Sequence, residues 1–147
     1  GLAHNKHTNT ASALETASVC EIPFSRLEEL SLKIPTMQRH FFQLMSKEIT
    51  NDQKLITMLS KNSADERVAA LLLSISSRNH RRQLSATDFR LPMSRSDIGN
   101  YLGLTIETVS RVFGRLQKNG VLIVDKKDIT IADMDGLKLA ANASSGD

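Results

Sequence analysis

Between residues 95 and 113 the chain reads "RSDIGNYLGLTIETVSRVF", and the placing of its apolar and glycine residues leaves few folds open. Ile98 and Leu102 fall one turn apart on a first short helix, Val109 and Val112 fall three apart on a second, and Leu104 stands between them. The two helices can share a core only if the chain reverses sharply after Leu102. Gly103 supplies that turn, because glycine enters left-handed backbone at little steric cost, and Gly99 lets the helices approach closely. With Arg95 as the first position, all seven of these residues match one helix-turn-helix template.

The flanks extend the motif. "VLIVDKKDITI" reads as a β-hairpin, the wing of a winged helix-turn-helix, followed by a last helix near "MDGLKLAA" and a tail "NASSGD" expected to fray. Upstream, "DFRLPM" reads as a short strand. "SADERVAALLLSISSRNHRRQ" reads as a helix opened by a capping box of Ser63 and Glu66 and closed by Arg78, Arg81 and Arg82.

Further upstream the pattern changes. "SRLEELSLK" predicts a short helix, Pro35 is suited to a first helical turn, and nothing breaks the helix from there to about Ser60. Met37, Phe41, Met45, Ile49, Ile56 and Leu59 recur at three- and four-residue spacing along it. Leu44, Leu55 and Met58 mark a neighbouring face expected to pack on the helix's own domain. Such a helix is long for a small domain, and its second apolar face predicts self-dimerisation. Asp52 interrupts the stripe. In a symmetric dimer it would face its own copy and weaken the seam by repulsion; at the edge it would simply be solvated. Residues 13–24, "ALETASVCEIPF", alternate loosely and stop at Pro23, which predicts one strand whose sheet lies elsewhere.

Charge singles out the same region as the glycines. The net charge is only +3, yet residues 78–127 hold ten Lys/Arg against four Asp/Glu, which points to an anionic partner. Thr105 is a suitable N-cap for the second helix of the motif, so Glu107, Ser110 and Arg111 share one face at its start. In helix-turn-helix geometry that end enters the DNA major groove. There Glu can accept from cytosine N4, Arg can donate twice to guanine, and Ser adapts. An ordinary Glu107–Arg111 surface pair is the structural alternative. Arg95, Thr105, Thr108, Arg115, Lys118, Lys126 and Lys127 are candidates for phosphate contacts, which give affinity without sequence information.

"DIGNYLGLTIETVSRVFGRLQKNGVL", behind a long apolar helix, resembles the Crp/Fnr superfamily of transcription regulators. The ExxSR pattern of Glu107, Ser110 and Arg111, with Ile106 before it, is similar to the FNR type, whereas the cyclic-AMP-responsive type has Arg and Gly where Ile106 and Ser110 stand. The resemblance implies an α+β architecture: the end of a β-roll sensory domain over 1–32, a dimerisation helix over 33–61 and a winged helix-turn-helix DNA-binding domain over 62–147. It further implies an oxygen-responsive homodimer on double-stranded DNA with inverted TTGAT half-sites. Glu107 and Arg111 would read the G·C pair, Ser110 would lie near the outer thymine, and Ile49 and Asp52 would sit in the dimer seam. RNA polymerase is an implied partner, near Arg78, Arg81 and Arg82, which otherwise complement a helix C-terminus. The FNR type carries a [4Fe-4S] cluster on four cysteines. Cys20, in "VCEIP", matches one of them and is the chain's single cysteine. The chain as given is therefore expected to hold no cluster, and the intact protein to hold one. Read without the resemblance, Cys20 is a packed strand thiol.

Other classes fit poorly. No apolar run approaches the roughly 20 residues of a membrane span, and one thiol suits a reducing, cytoplasmic setting. His4 and His7 form "HNKH", but no further ligands follow at useful spacing and no acid/base constellation is present, so an enzyme is not expected. A winged helix that binds protein instead of DNA is the remaining alternative, and the basic block argues against it.

Overall fold

A computed structural model describes residues 10–142. The "HNKH" stretch and the tail beyond Asn142 lie outside the described residues.

The capping box at Ser63 forms as expected. Its hydroxyl accepts from the Glu66 N–H and the Glu66 carboxylate accepts from the Ser63 N–H, starting helix α3 (Ala64–Arg81). A second capping box, Ser94 with Asp97, starts α4 (Arg95–Leu102). These hydrogen bonds hold the Asp97 carboxyl below its usual pKa. Thr105 caps α5 (Ile106–Lys118) through the Thr108 N–H. Each cap satisfies amide donors that a helix start leaves without partners.

Three short strands complete the domain. β1 (Asp88–Arg90), β2 (Leu122–Asp125) and β3 (Asp128–Ile131) form an antiparallel sheet in the order β1-β3-β2. Asp125 pairs with Asp128, so Lys126 and Lys127 are the whole hairpin loop, and Lys126 takes a left-handed φ of 54°. Helix α6 (Met134–Ala141) packs on α3. One core joins these elements: Val68 and Leu72 from α3, Ile98 and Leu102 from α4, Val109 and Val112 from α5, Ile129 from the sheet and Leu137 from α6 are each at most 1% exposed.

The two N-terminal helices contrast with this. α1 (Phe24–Lys33) and α2 (Pro35–Lys61) bury no residue, although Pro35 starts α2 at N1 as expected. On the long stripe Met37, Phe41 and Leu59 are half-buried, while Met45, Ile49, Asp52 and Ile56 are exposed. On the neighbouring face Leu55 and Met58 are half-buried and Met58 reaches the core, but Leu44 stays exposed, against expectation.

One element is corrected. Residues 13–23 form no strand, and Phe24, read as the strand's last residue, begins α1. A strand exists only through ladder hydrogen bonds to a neighbour, and the described sheet lies at the far end of the chain, with β1 and β2 already flanking β3. The alternation in "ALETASVCEIPF" is a local signal that finds no partner among the described residues. Cys20 is accordingly an exposed free thiol instead of a packed one.

Candidate nucleic-acid interface

The junction of α4 and α5 shows why both glycines are needed. Gly103 ends α4 at φ 63°, ψ 40°, and a Cβ placed on Gly99 would stand 2.6 Å from the Leu104 carbonyl oxygen. The Leu104 N–H closes the turn on the Gly99 carbonyl at 2.9 Å. Of the five apolar positions expected in the core, Ile98, Leu102, Val109 and Val112 are buried and Leu104 is half-buried against them.

Burial of Val109, Val112, Phe113 and Leu116 fixes which face of α5 turns inward. Glu107, Ser110 and Arg111 then emerge together on the opposite, exposed face. Glu107 and Arg111 form no ion pair; the Arg111 guanidinium donates to the Thr108 hydroxyl at 3.1 Å, and Thr108 is also bonded to Thr105. The surface-pair alternative thus has no contact behind it, and both charged heads are open to a ligand.

The seven phosphate candidates divide. Lys118 and Lys126 are exposed, and Lys126 stands at the tip of the wing. Lys127 donates to the Pro92 carbonyl at 3.2 Å, joining the wing to the loop before α4. The Arg95 guanidinium lies 3.5 Å from the centre of the Phe113 ring, and burial lowers its pKa. Arg115 is held in a bidentate pair with Asp65, its Nε 3.0 Å from Oδ1 and its Nη2 2.6 Å from Oδ2. This pair raises its pKa. Thr105 and Thr108 serve as cap and relay at the start of α5.

Sequence reasoning missed Arg67. Its Nη1 donates to the Leu102 carbonyl at 3.0 Å and its Nε to the Asn62 carbonyl at 2.9 Å, so it ties the end of α4 to the end of α2. Its position one residue after the Glu66 cap was the available signal.

A model of the Crp-like helix-turn-helix domain matches residues 66–140, which spans α3 to α6. The chain belongs to the Crp/Fnr family. Within it the chain is FNR-like: it is 53% identical to the transcriptional activator protein FnrA of Stutzerimonas stutzeri over 137 residues, covering 93% of this chain and 56% of that protein. It is 51% identical to the fumarate and nitrate reduction regulatory protein of Salmonella typhimurium over 135 residues, covering 92% and 54%. Among solved structures, FixK2 from Bradyrhizobium japonicum superposes with a TM-score of 0.69 at 34% identity, over 78% of this chain and 56% of that one. The chain spans about half the length of the curated relatives it matches. The matched region is a Crp-like helix-turn-helix domain. Among the described residues no helix is long and apolar enough to cross a membrane.

Proposed function

We propose that α5 reads base edges in the major groove, with Glu107 and Arg111 on a G·C pair and Ser110 beside them, within TTGAT-like half-sites. The observation that carries this reading is the three side chains on one exposed face of a helix whose other face is wholly committed to the core. Lys118 and Lys126 contact phosphates; Arg95, Lys127, Thr105 and Thr108 act nearer the protein's own loops and helix starts, where their contacts already hold them. The names of the relatives support a regulator and not an enzyme, and cytoplasmic action goes with that role. The exposed stripe on α2 supports a homodimer, with Ile49 and Asp52 in its seam, that places two copies of α5 on an inverted repeat about 34 Å apart. RNA polymerase is the proposed partner at the promoter.

Oxygen sensing belongs, in this proposal, to the intact protein. The residues of this chain do not fit a four-thiolate cluster by themselves: Cys20 is the single cysteine, it is exposed, and among the described residues no three His, Cys, Asp or Glu side chains are grouped to hold a metal. Cys20 would supply one ligand of a [4Fe-4S] cluster there.

Binding to a TTGAT repeat and to random duplex tests the base reading. Arg111→Ala should cost roughly 1 to 3 kcal/mol on the repeat and little on random DNA. Equal losses would reduce Arg111 to a phosphate contact. Lys126→Ala should weaken both DNAs alike and flatten the salt dependence by about one unit of slope; a loss confined to the repeat would count against its phosphate role.

A further inference from the structure

One turn of α3 holds both helices of the DNA-binding motif. Arg67 donates to the Leu102 carbonyl, an acceptor that the end of α4 leaves without an intrahelical partner. Asp65, two residues earlier, grips Arg115 on α5 across 50 residues of sequence. The apolar stripe of α5 resists being pulled off the core, but hydrophobic burial is non-directional and restrains rotation about the helix axis less well. A planar guanidinium on a carboxylate, by contrast, has a fixed direction. A binding constellation must be held to roughly 0.5 Å and 10–20° to work.

We infer that Arg115 is a positioning residue: burial fixes which face of α5 points outward, and the pair with Asp65 sets the fine rotation at which the shared face of Glu107, Ser110 and Arg111 meets the groove. Arg115 is then not one of the phosphate contacts, although it stands in the basic block and one turn beyond Arg111. This inference rests on the base-reading role of α5.

The test is fluorescence-detected binding of a single TTGAT half-site and of random duplex over a range of salt, with thermal melts of every variant. The half-site removes any dependence on dimerisation. Arg115→Gln, Asp65→Asn and Arg115→Lys should each weaken half-site binding about two- to fivefold, leave random DNA unchanged and leave the salt slope as in the parent. Arg115→Lys is informative because it keeps the charge a phosphate needs and loses the fork that Asp65 needs. The double variant Asp65→Asn/Arg115→Gln should be no worse than either single one, the mark of two residues acting as a unit.

A phosphate contact predicts otherwise. Arg115→Gln would then weaken both DNAs and lower the slope by about 0.9, while Arg115→Lys and Asp65→Asn would bind like the parent, and that result overturns the inference. A fall in melting temperature with half-site binding intact also overturns it, because the pair would then serve only the fold. A parent that fails to prefer the half-site over random DNA removes the base-reading role and this inference with it. A parent that prefers it, with Asp65→Asn unchanged, removes the inference alone.

Discussion

Residues 66–137 contain every buried side chain of the described chain, whereas the 27 residues of α2 contain none. Both regions are helical and both carry apolar residues at helical spacing. The difference is what the spacing meets. In α3, α4 and α5 the apolar faces converge on one another and on a small sheet, while α2 extends roughly 40 Å with Ile49 55% and Ile56 66% exposed and only its last turns reaching the core. Most helical stability in proteins comes from packing of an apolar face, and here only one side of α2 is partly covered. The domain buries its apolar faces within one chain, whereas the exposed stripe of α2 is the surface that the proposed homodimer would cover.

The domain depends on its own α4–α5 junction. Gly99→Ala puts a methyl group against the Leu104 carbonyl and should destabilise the domain by roughly 1 to 3 kcal/mol, read as a lowered thermal midpoint. Melting at the parental temperature would show that the α4–α5 turn has slack.

The next change separates the two regions. Ile49→Glu should leave the melting of the domain where it is, because Ile49 is exposed and is not among the residues packed on the core, yet abolish self-association in sedimentation at increasing concentration. It adds a charge to the proposed seam and removes the apolar burial expected there. Asp52→Ala should do the reverse, tightening association by about 1 kcal/mol and raising affinity for the whole repeat but not for a half-site. An Asp52→Ala chain no more associated than the parent would mean that Asp52 is a solvated edge group and carries no repulsion.

Gly114 lies in the middle of α5, and a Cβ built there meets nothing within 4 Å. Gly114→Ala should therefore stabilise the domain by about 0.5 to 1 kcal/mol through reduced backbone entropy of the unfolded chain. A destabilised Gly114→Ala would point to a contact on this face within the free protein.

Much of the domain could be read from the chain because its signals are local and redundant. Ser63 with Glu66, Thr105, Pro35 and Gly103 each act within a few residues and stand where the spacing put them, and the hairpin forms around "DKKD", with Asp125 and Asp128 drawn into the strands. The strand over 13–24 was misread for the same reason that the wing was read correctly. Alternation shows a preference for extended backbone, and whether a strand forms depends on a neighbour: β3 has two, and residues 13–23 have none among the described residues.

Sequence by itself determined the two glycines of the turn, the caps, the buried stripe of α5 and hence the face on which Glu107, Ser110 and Arg111 must emerge, since helical periodicity fixes angles within an element. It could not say which cations stay free. Arg115 finds Asp65 50 residues away, Lys127 finds Pro92 35 away, and Arg95 stacks on Phe113 of the next helix. A guanidinium or ammonium on a long stem reaches whatever oxygen or ring the packed chain brings beside it, and only the tertiary structure decides which one that is.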